Sequence, residues 1–539
     1  MAKEIYYGKE ARERILSGAK KLYDAVKVTY GPRGENVIIG KKYGTPIVTH
    51  DGVTVANAIE LNETDPKEYG YKVGADLIKT ATKNLNKVAG DGTTSVTILT
   101  YAILKEANKL IDSGHNSQEI KRGLHDALTE VLANLDKNSK QITVDSPKLA
   151  ELASISSGSK EIGQVIADVF KAIGTDGAVT VESGQSLETL SIITEGYSLD
   201  RGYASPYFVN DSTKQEAVYK NVMFLITDQK ITTTNQLAPI LENLLKQGRK
   251  ELVIIADEVS GDALSFLLLN KIQGAFNSVV VKAPAFGDQR KAVMEDLAVL
   301  TGAKLITEVS KTRLEDINID VLGEAKKIIV SQMETIIVSG KGSSLAVKNR
   351  VNLIKEQIKS SQSDFEKDQL KKRVASLMGK VATISVGGFS EMDIDERKYR
   401  VDDAVSATKV ALLDGVTIGG GVALLNASKD ITIDGVSSYD AGKQILKESL
   451  KQPFKQLVNN SGLNAEALID KVENAKSGYG VNVATGELVD LYKEGIIDPL
   501  KVLKEVVKNS VSIASNAMTM GALVIDLPEE KDLPLNNGL

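Results

Sequence analysis

No cysteine occurs in the 539 residues, which excludes disulfides, thiolate zinc sites, iron–sulfur ligation and a cysteine nucleophile together. Tryptophan is also absent and aromatic residues make up 5% of the chain, so any large apolar recognition surface must be built mostly from aliphatic side chains. The three histidines, His50, His115 and His125, form no H-E-x-x-H or comparable ligand cluster, which disfavours a histidine-centred hydrolase or metalloenzyme. No uninterrupted apolar run approaches a membrane span, and the start, M-A-K-E-I-Y-Y-G-K-E, is charged where a secretory signal would be apolar. Together with the missing cysteine, this predicts a soluble, cytoplasmic chain without a membrane partner. Charge of one sign is lacking too: 66 Lys and Arg against 71 Asp and Glu leave a formal net charge of -5, with no dominant basic surface for nucleic acid.

What is present is an ordinary globular composition, 42% hydrophobic and 25% charged, in a chain too long for one core, so two to four domains are expected. Ile15, Ala19, Leu22 and Val26 step by three or four and predict a helix from Lys9 to Val28 that stops at Tyr30-Gly31-Pro32. Two short β runs follow, Asn36 to Ile39 and Pro46 to Thr49, joined through Gly40 and Gly44 as a hairpin. Helical patterns then cover about Gly70 to Ala89, Thr93 to Ser113 and Ser117 to Leu135. After a polar stretch, Asp136 to Ser146, a further helix-rich piece ends in the strand Ala178 to Glu182. The middle changes character: Leu252 to Ala256, Ser278 to Lys282 and Lys304 to Thr307 read as buried strands between helices, so residues from about 195 to 325 are α/β. Lys326 to Val338 reads as a β pair and Ala346 to Leu377 as a charged helical hairpin. Beyond Asp402 long amphipathic helices return. Composition leaves two arrangements open, three domains in a row or one helical domain interrupted by an insertion.

Residues 89–99, A-G-D-G-T-T-S-V-T-I-L, open a helix with two glycines and three hydroxyl residues, all weak helix formers. The unpaired N–H groups and positive dipole end of such a helix, the close approach glycine permits and the carboxylate of Asp91 together suit a phosphate group with a magnesium ion. The simpler reading of the stretch by itself is a turn with a Thr or Ser cap. Neither G-x-x-x-x-G-K-[ST] nor a G-x-G-x-x-G following a strand occurs. Likewise Thr29-Tyr-Gly-Pro-Arg-Gly34, His50-Asp51-Gly52, Gly419-Gly420-Gly421, Asp402-Asp403 and Asp498-Pro499 are, one by one, only turns, bends or solvated acids.

Their combination and order resemble the group I chaperonins of the GroEL type across essentially the whole chain. The matching blocks are V-T-Y-G-P-R-G-E-N-V, T-H-D-G-V-T-V-A, A-G-D-G-T-T-S-V-T, D-R-G-Y-A-S-P-Y-F, V-K-A-P-A-F-G-D-Q-R-K-A, R-V-D-D-A-V-S-A-T, G-G-G-V-A-L and G-I-I-D-P-L-K-V. The resemblance implies a multidomain fold: a mainly α equatorial domain (residues 1–137 and 414–539) for ATP and ring contacts, a small α/β intermediate hinge domain (138–194 and 382–413), and an α/β apical domain (195–381) inserted in the middle of the chain for substrate and co-chaperonin. It thereby favours the insertion. Carried over by motif, Thr29, Tyr30, Gly31 and Pro32 line the nucleotide beside His50, and Asp91 holds magnesium with Gly92, Thr93, Thr94 and Ser95 around the phosphates. Gly420, Asn482, Val483, Ala484 and Asp498 contact adenine and ribose, Asp403 is the hydrolytic carboxylate, and Asp51 is its helper near the γ-phosphate. The implied cofactors are ATP, Mg2+ and K+. An apolar groove for non-native polypeptides is implied at Tyr203, Tyr207, Phe208, Ala238, Leu241, Leu264, Leu268 and Leu269; without the resemblance, the helical stripe Leu264, Leu268, Leu269 reads as core. The implied partners are non-native polypeptides, a co-chaperonin of the GroES type and further copies of the chain in two stacked heptameric rings.

The sequence departs from that family at several points. His50 stands where a lysine usually precedes Asp-Gly; a backbone carbonyl there can still bind potassium, but the fixed positive charge is gone, so the ATPase rate or its pH dependence is expected to differ. Lys380 follows Gly379 in place of paired glycines at the apical hinge, Ala238 trims a larger apolar residue, Ala285 replaces a glycine, and the chain ends in L-P-L-N-N-G-L without glycine–methionine repeats. Two rival readings stand beside the chaperonin: a chaperonin-like paralogue serving as scaffold or surface binder, and an ATP-dependent metabolic enzyme such as a phosphotransferase. The latter needs an acceptor pocket and an added catalytic constellation, and the sequence displays neither.

Overall fold

A computed structural model describes residues 3–527 except 42–45, 64, 176, 185, 213, 285–286, 311 and 362, and leaves out the side chains of 288, 310, 364, 365 and 368. Gly44, Ala285 and the tail L-P-L-N-N-G-L therefore lie outside the described residues. The chain divides into two compact units, one made of Met1–Lys171, Val181–Leu190 and Ser385–Leu539, the other of Ala172–Thr180 and Ser191–Ile384. The stretches expected to form an intermediate domain fall mostly within the first of these units.

The first unit is a helical assembly around the Thr93–Asp112 helix, which is buried on nearly every side. Val96, Leu99, Ile103 and Ala107 meet the helices Gly8–Val26, Tyr71–Ala89 and Leu500–Met518 in one core. Its buried hydroxyls are satisfied locally, Thr97 donating to the Thr93 carbonyl at 3.0 Å and Thr100 to Ser510 at 3.1 Å, so they add no unpaired polar group to that core. The Gly8–Val26 helix buries Ala11, Ile15, Ala19, Leu22 and Val26, the periodic face expected of it. Two helix pairs cross through reciprocal glycines: Gly18 lies on the Tyr71 carbonyl and Gly74 on that of Ile15, while Gly123 lies on Tyr439 and Gly442 on Ile120, leaving no room for a Cβ at any of the four. Val37–Ile39 pairs antiparallel with Ile47–Thr49, as the hairpin pattern predicts. The pairing of Lys3–Tyr7 with Ala522–Asp526 joins segments from opposite ends of the chain and has no local sequence signal; Tyr6, Leu523 and Ile525 of that pair are buried.

The second unit holds most of an eight-stranded sheet ordered Ala178–Ser183, Lys380–Val386, Leu190–Leu199, Thr335–Gly340, Gly323–Val330, Ala217–Ile231, Glu251–Val259, Asn277–Lys282. Three of these strands are parallel neighbours, Ala217–Ile231, Glu251–Val259 and Asn277–Lys282, and their centres read as continuous apolar runs because helices cover them. Lys304–Thr307, expected as a further strand, is not one: it contributes a single bridge, Ile306 to Thr227, before the chain turns into a short 3-10 segment. The charged hairpin is the helix pair Ser344–Ser360 and Asp364–Leu377. It is pinned to the Gly287–Thr301 helix by a fully buried carboxylate, Asp296, which accepts from Arg350 Nε at 2.6 Å and from Arg373 Nε and Nη2 at 2.7 and 2.9 Å. Among the described residues no helix is long and apolar enough to cross a membrane.

Candidate nucleotide site

The entrance of the Thr93–Asp112 helix is shaped by crowding. Gly90 and Gly92 both adopt positive φ, +66° and +83°, where side chains are strained. A Cβ on Gly92 would meet Val502 at 2.6 Å, and one on Gly90 would meet Ser406 at 2.5 Å. Asp91 is thus held between two residues that must be glycine, with the Gly92 N–H donating to its Oδ1 at 2.5 Å. Burial pushes the Asp91 carboxyl above the usual carboxylate range, and the nearby Asp51 pushes the same way; hydrogen bonds from Gly92 and from the Ser156 side chain oppose the shift.

Three other segments converge on this entrance. Gly52 packs against the Thr93 and Thr94 hydroxyls, so that a Cβ there would lie 2.5 Å from Thr94 Oγ1. The preceding Asp51 caps the Gly52–Ala58 helix, accepting from the Val53 and Thr54 amides at 3.0 and 2.8 Å and from the Thr54 hydroxyl at 2.6 Å. Thr29 is buried with its Oγ1 3.4 Å from that of Thr94, and Ser95 donates to the Tyr30 hydroxyl at 3.1 Å. Burial, and the carboxylates of Asp498 and Asp91, raise the Tyr30 phenol and keep it protonated. Gly31, at φ +88°, is packed under Leu457, and Pro32 completes the turn.

Asp498 arrives from the returning half of the chain on Ile497–Pro499, paired with Val416–Ile418. Burial, reinforced by Asp91, pushes its carboxyl up to about 7. It lies beside the turn Gly419-Gly420-Gly421, where a Cβ on Gly419 would come 3.0 Å from Asp498 Oδ1. Asn482 folds its side chain back on the Ala484 amide at 3.0 Å, Val483 is buried, and Arg33 donates to the Ala484 carbonyl at 3.0 Å. Arg33 thereby ties Asn482–Ala484 to the Thr29–Pro32 turn, a link the sequence reading did not include.

The Glu391–Asp414 helix lies over these loops. Ser406, one turn beyond Asp403, rests on Gly90, which puts Asp403 within a helical turn of the Asp91 loop. Arg400 and Glu396 of the same helix face His50, whose ring also hydrogen-bonds the Gly31 backbone and packs against Gly34. Burial and the Arg400 charge hold His50 below the usual histidine range, outweighing Glu396 and Asp51. Ser406 and Arg400 stand in the block R-V-D-D-A-V-S-A-T but carry no role there, because each acts through a close contact formed only in the fold. Among the described residues no group of three or more acidic, histidine or cysteine side chains surrounds a point where a metal could sit. The mostly buried Asp91 carboxylate, with its raised proton affinity, nonetheless fits a cation that takes the rest of its oxygens from phosphate and water, as magnesium does.

In the second unit the apolar positions divide. Tyr207 and Leu269 are 73% and 56% exposed, and Tyr203, Ala238, Leu264 and Leu268 are partly buried. Phe208 and Leu241 depart from expectation: both are core residues, at 0% and 3% exposure, and offer no surface to a client. Ile272, 72% exposed at the end of the Gly261–Ile272 helix, was not anticipated. Lys271 of that helix donates to the Tyr207 and Val209 carbonyls at 3.0 and 2.8 Å and so holds the Tyr207 turn beside it.

A sequence model of the TCP-1/cpn60 chaperonin family matches residues 22–527. Among solved structures, the chaperonin gp146 from the bacteriophage EL 2 (Pseudomonas aeruginosa), crystallised in the presence of ATP-BeFx, shares the fold in two crystal forms. The TM-scores are 0.68 and 0.62, with 22% identity over 97% of this chain and 99% of that one.

Proposed function

Since the chain belongs to the TCP-1/cpn60 chaperonin family, we propose that it is an ATP-hydrolysing chaperonin that captures non-native polypeptides on exposed apolar surface and, with a co-chaperonin lid, encloses them for folding. The observation that carries the ATPase part is the convergence of Thr29–Pro32, Asp51, Asp91–Ser95 and Asp498 on one place beneath the helix bearing Asp403. The phage chaperonin was crystallised with an ATP analogue, which supports a nucleotide in the same fold.

In this reading Asp91 holds magnesium, and Asp498 and the Asn482–Ala484 turn hold ribose and adenine. Magnesium neutralises phosphate oxygens, which lets a phosphoanhydride be hydrolysed without a covalent nucleophile. The amides and hydroxyls of Thr93, Thr94 and Ser95 bind the phosphates, and Asp403 aligns the attacking water and takes its proton. Asp51, already engaged as a helix cap, fixes the Gly52 turn against Thr93 and Thr94. The segments 138–194 and 382–413 act as the moving hinge, so closing the Glu391–Asp414 helix on the loops completes the site and couples ATP to shape.

Client capture rests on Tyr207, Leu269 and the half-buried Tyr203, Leu264 and Leu268. Aliphatic and aromatic surface of this kind binds many unfolded sequences because hydrophobic attraction is non-directional. Asp403→Ala is expected to keep nucleotide binding and lose most turnover. Hydrolysis at the wild-type rate by that variant would refute the assignment.

A further inference from the structure

The Gln452–Asn460 helix contains none of the matching sequence blocks, yet it backs two of the turns brought together at the candidate nucleotide site. Phe454, Leu457 and Asn460 follow at intervals of three and share one face. Gly421 lies on Phe454, where a Cβ would come 2.9 Å from the Phe454 Cα. Leu457 is buried and fills the space a Cβ on Gly31 would need, and its Cδ2 is 4.0 Å from the Cβ position of Gly420. One helix face thus meets a turn from each half of the chain.

Asn460, the last residue of that helix, adds a polar clamp. Its Nδ2 donates to the Lys27 and Tyr30 carbonyls, each at 2.9 Å, one hydrogen to each. Carbonyl oxygens only accept, so the amide nitrogen must be the end that faces the turn. The other end agrees: Asn460 Oδ1 accepts from Gln456 Nε2 at 2.7 Å, and Gln456 Oε1 accepts from the Tyr23 hydroxyl at 3.2 Å. The Tyr30 carbonyl shares a planar peptide with the Gly31 N–H, so fixing the direction of one fixes the other.

We propose that Asn460 is a positioning residue of the nucleotide site: it fixes the plane of the Tyr30–Gly31 peptide and holds residues 29–32 in the orientation that receives the nucleotide, at the spacing from the Gly419-Gly420-Gly421 turn that Leu457 and Phe454 set. This rests on the reading of residues 29–32 as lining the nucleotide. Gly31, at φ +88°, has the conformational freedom of glycine, so other orientations of that peptide open once the clamp is gone. Apparent affinity then falls with the fraction of molecules whose turn is competent. Two hydrogen bonds of ordinary net strength change that fraction about tenfold.

The test is equilibrium binding of a fluorescent ADP analogue to the full-length protein with Mg2+, alongside thermal melting, for the wild type, Asn460→Ala, Asn460→Asp and Ser461→Ala. Asn460→Ala is expected to weaken binding by the folded protein about tenfold, and in ATP hydrolysis to raise KM by a similar factor with kcat held within about twofold. Asn460→Asp, which keeps the shape and the acceptor but removes both donors, is expected to lose at least as much, and it carries the test should the alanine variant not fold. Ser461→Ala alters the same helix end without reaching the turn, since its hydroxyl returns to the Leu457 carbonyl at 3.0 Å, and is expected to bind as the wild type does. A merely structural Asn460 would lower the melting temperature and leave the affinity of the folded fraction unchanged. That result overturns the inference, as does a loss in Ser461→Ala equal to that in Asn460→Ala. Absence of nucleotide binding by the wild type would instead bring down the reading of the site itself, and the inference with it.

Discussion

Replacing Asp498 by Asn should make the nucleotide-free protein more stable, and increasingly so as pH rises to neutrality. The wild-type carboxyl titrates at about 7 in the fold against 3.8 as a free side chain, because it is buried beside Asp91. A carboxyl raised in this way is protonated and harmless at low pH; its burden appears as pH climbs above 3.8 and is complete above about 7, where the folded state must carry the charge. The difference of roughly 3 pH units corresponds to an upper bound of about 4 kcal/mol, at 1.36 kcal/mol per unit. The side chain is not fully shut off from water, so about 2–4 kcal/mol is expected above pH 7. Asparagine keeps the shape and removes the charge. Thermal unfolding without nucleotide and with a chelator, at pH steps from 5 to 8.5, should show the variant melting roughly 3–6 °C higher at pH 8. The advantage should shrink by about 1.4 kcal/mol per unit on going from pH 7 to 5.5. A variant whose advantage is the same at pH 5.5 and 8.5, or which is less stable than the wild type, would show that Asp498 bears no such burden.

His50, held below its usual 6.5 by burial and Arg400, is neutral at pH 7. Its protonation in acid costs more in the fold than outside it, because burial and the facing Arg400 charge oppose it, so the stability of this contact with the Glu391–Asp414 helix is kept above that range and lost as pH falls below it. The ATPase rate should therefore decline along an acid limb below pH 6.5; in His50→Gln, normalised to its own rate at pH 8, this limb should disappear, and a wild-type rate flat from mildly acidic to neutral pH would end any special role for His50. Asp296→Ala leaves two arginines facing a buried vacancy of charge. It should cost the second unit about 3–5 kcal/mol in urea unfolding followed by circular dichroism, and a loss below 1 kcal/mol would mean the arginines find other partners.

Much of this fold is legible locally because helices announce themselves by periodicity. The Gly8–Val26 and Thr93–Asp112 helices, and the apolar runs of Glu251–Val259 and Asn277–Lys282, follow from which positions must be buried. What local patterns miss is pairing across distance: Lys3–Tyr7 with Ala522–Asp526 depends on chain closure. Lys304–Thr307 shows the opposite error, a K-L-I-T tetrapeptide whose Ile306 bridges Thr227 without laddering. At the candidate nucleotide site the motif residues are readable as a set, whereas the contacts that Arg33, Arg400 and Ser406 make from within those same motifs are not, since each is significant only for what it touches. The apolar surface proposed for clients was hardest to read. Phe208 and Leu241 sit in the same helical and turn contexts as Tyr207 and Leu269, and only the packing of the sheet decides which of them point inward.

The central claim, that this chain couples ATP hydrolysis to the folding of other proteins, is tested most directly by the refolding yield of an aggregation-prone protein diluted from denaturant into the purified assembly. The account predicts that the assembly alone binds the chains and suppresses aggregation, that ATP with a GroES-type co-chaperonin raises the native yield, and that Asp403→Ala binds the chains but fails to turn them over. A yield with ATP and co-chaperonin no higher than in buffer, while the protein hydrolyses ATP, would contradict it and leave a scaffold whose ATPase serves some other end.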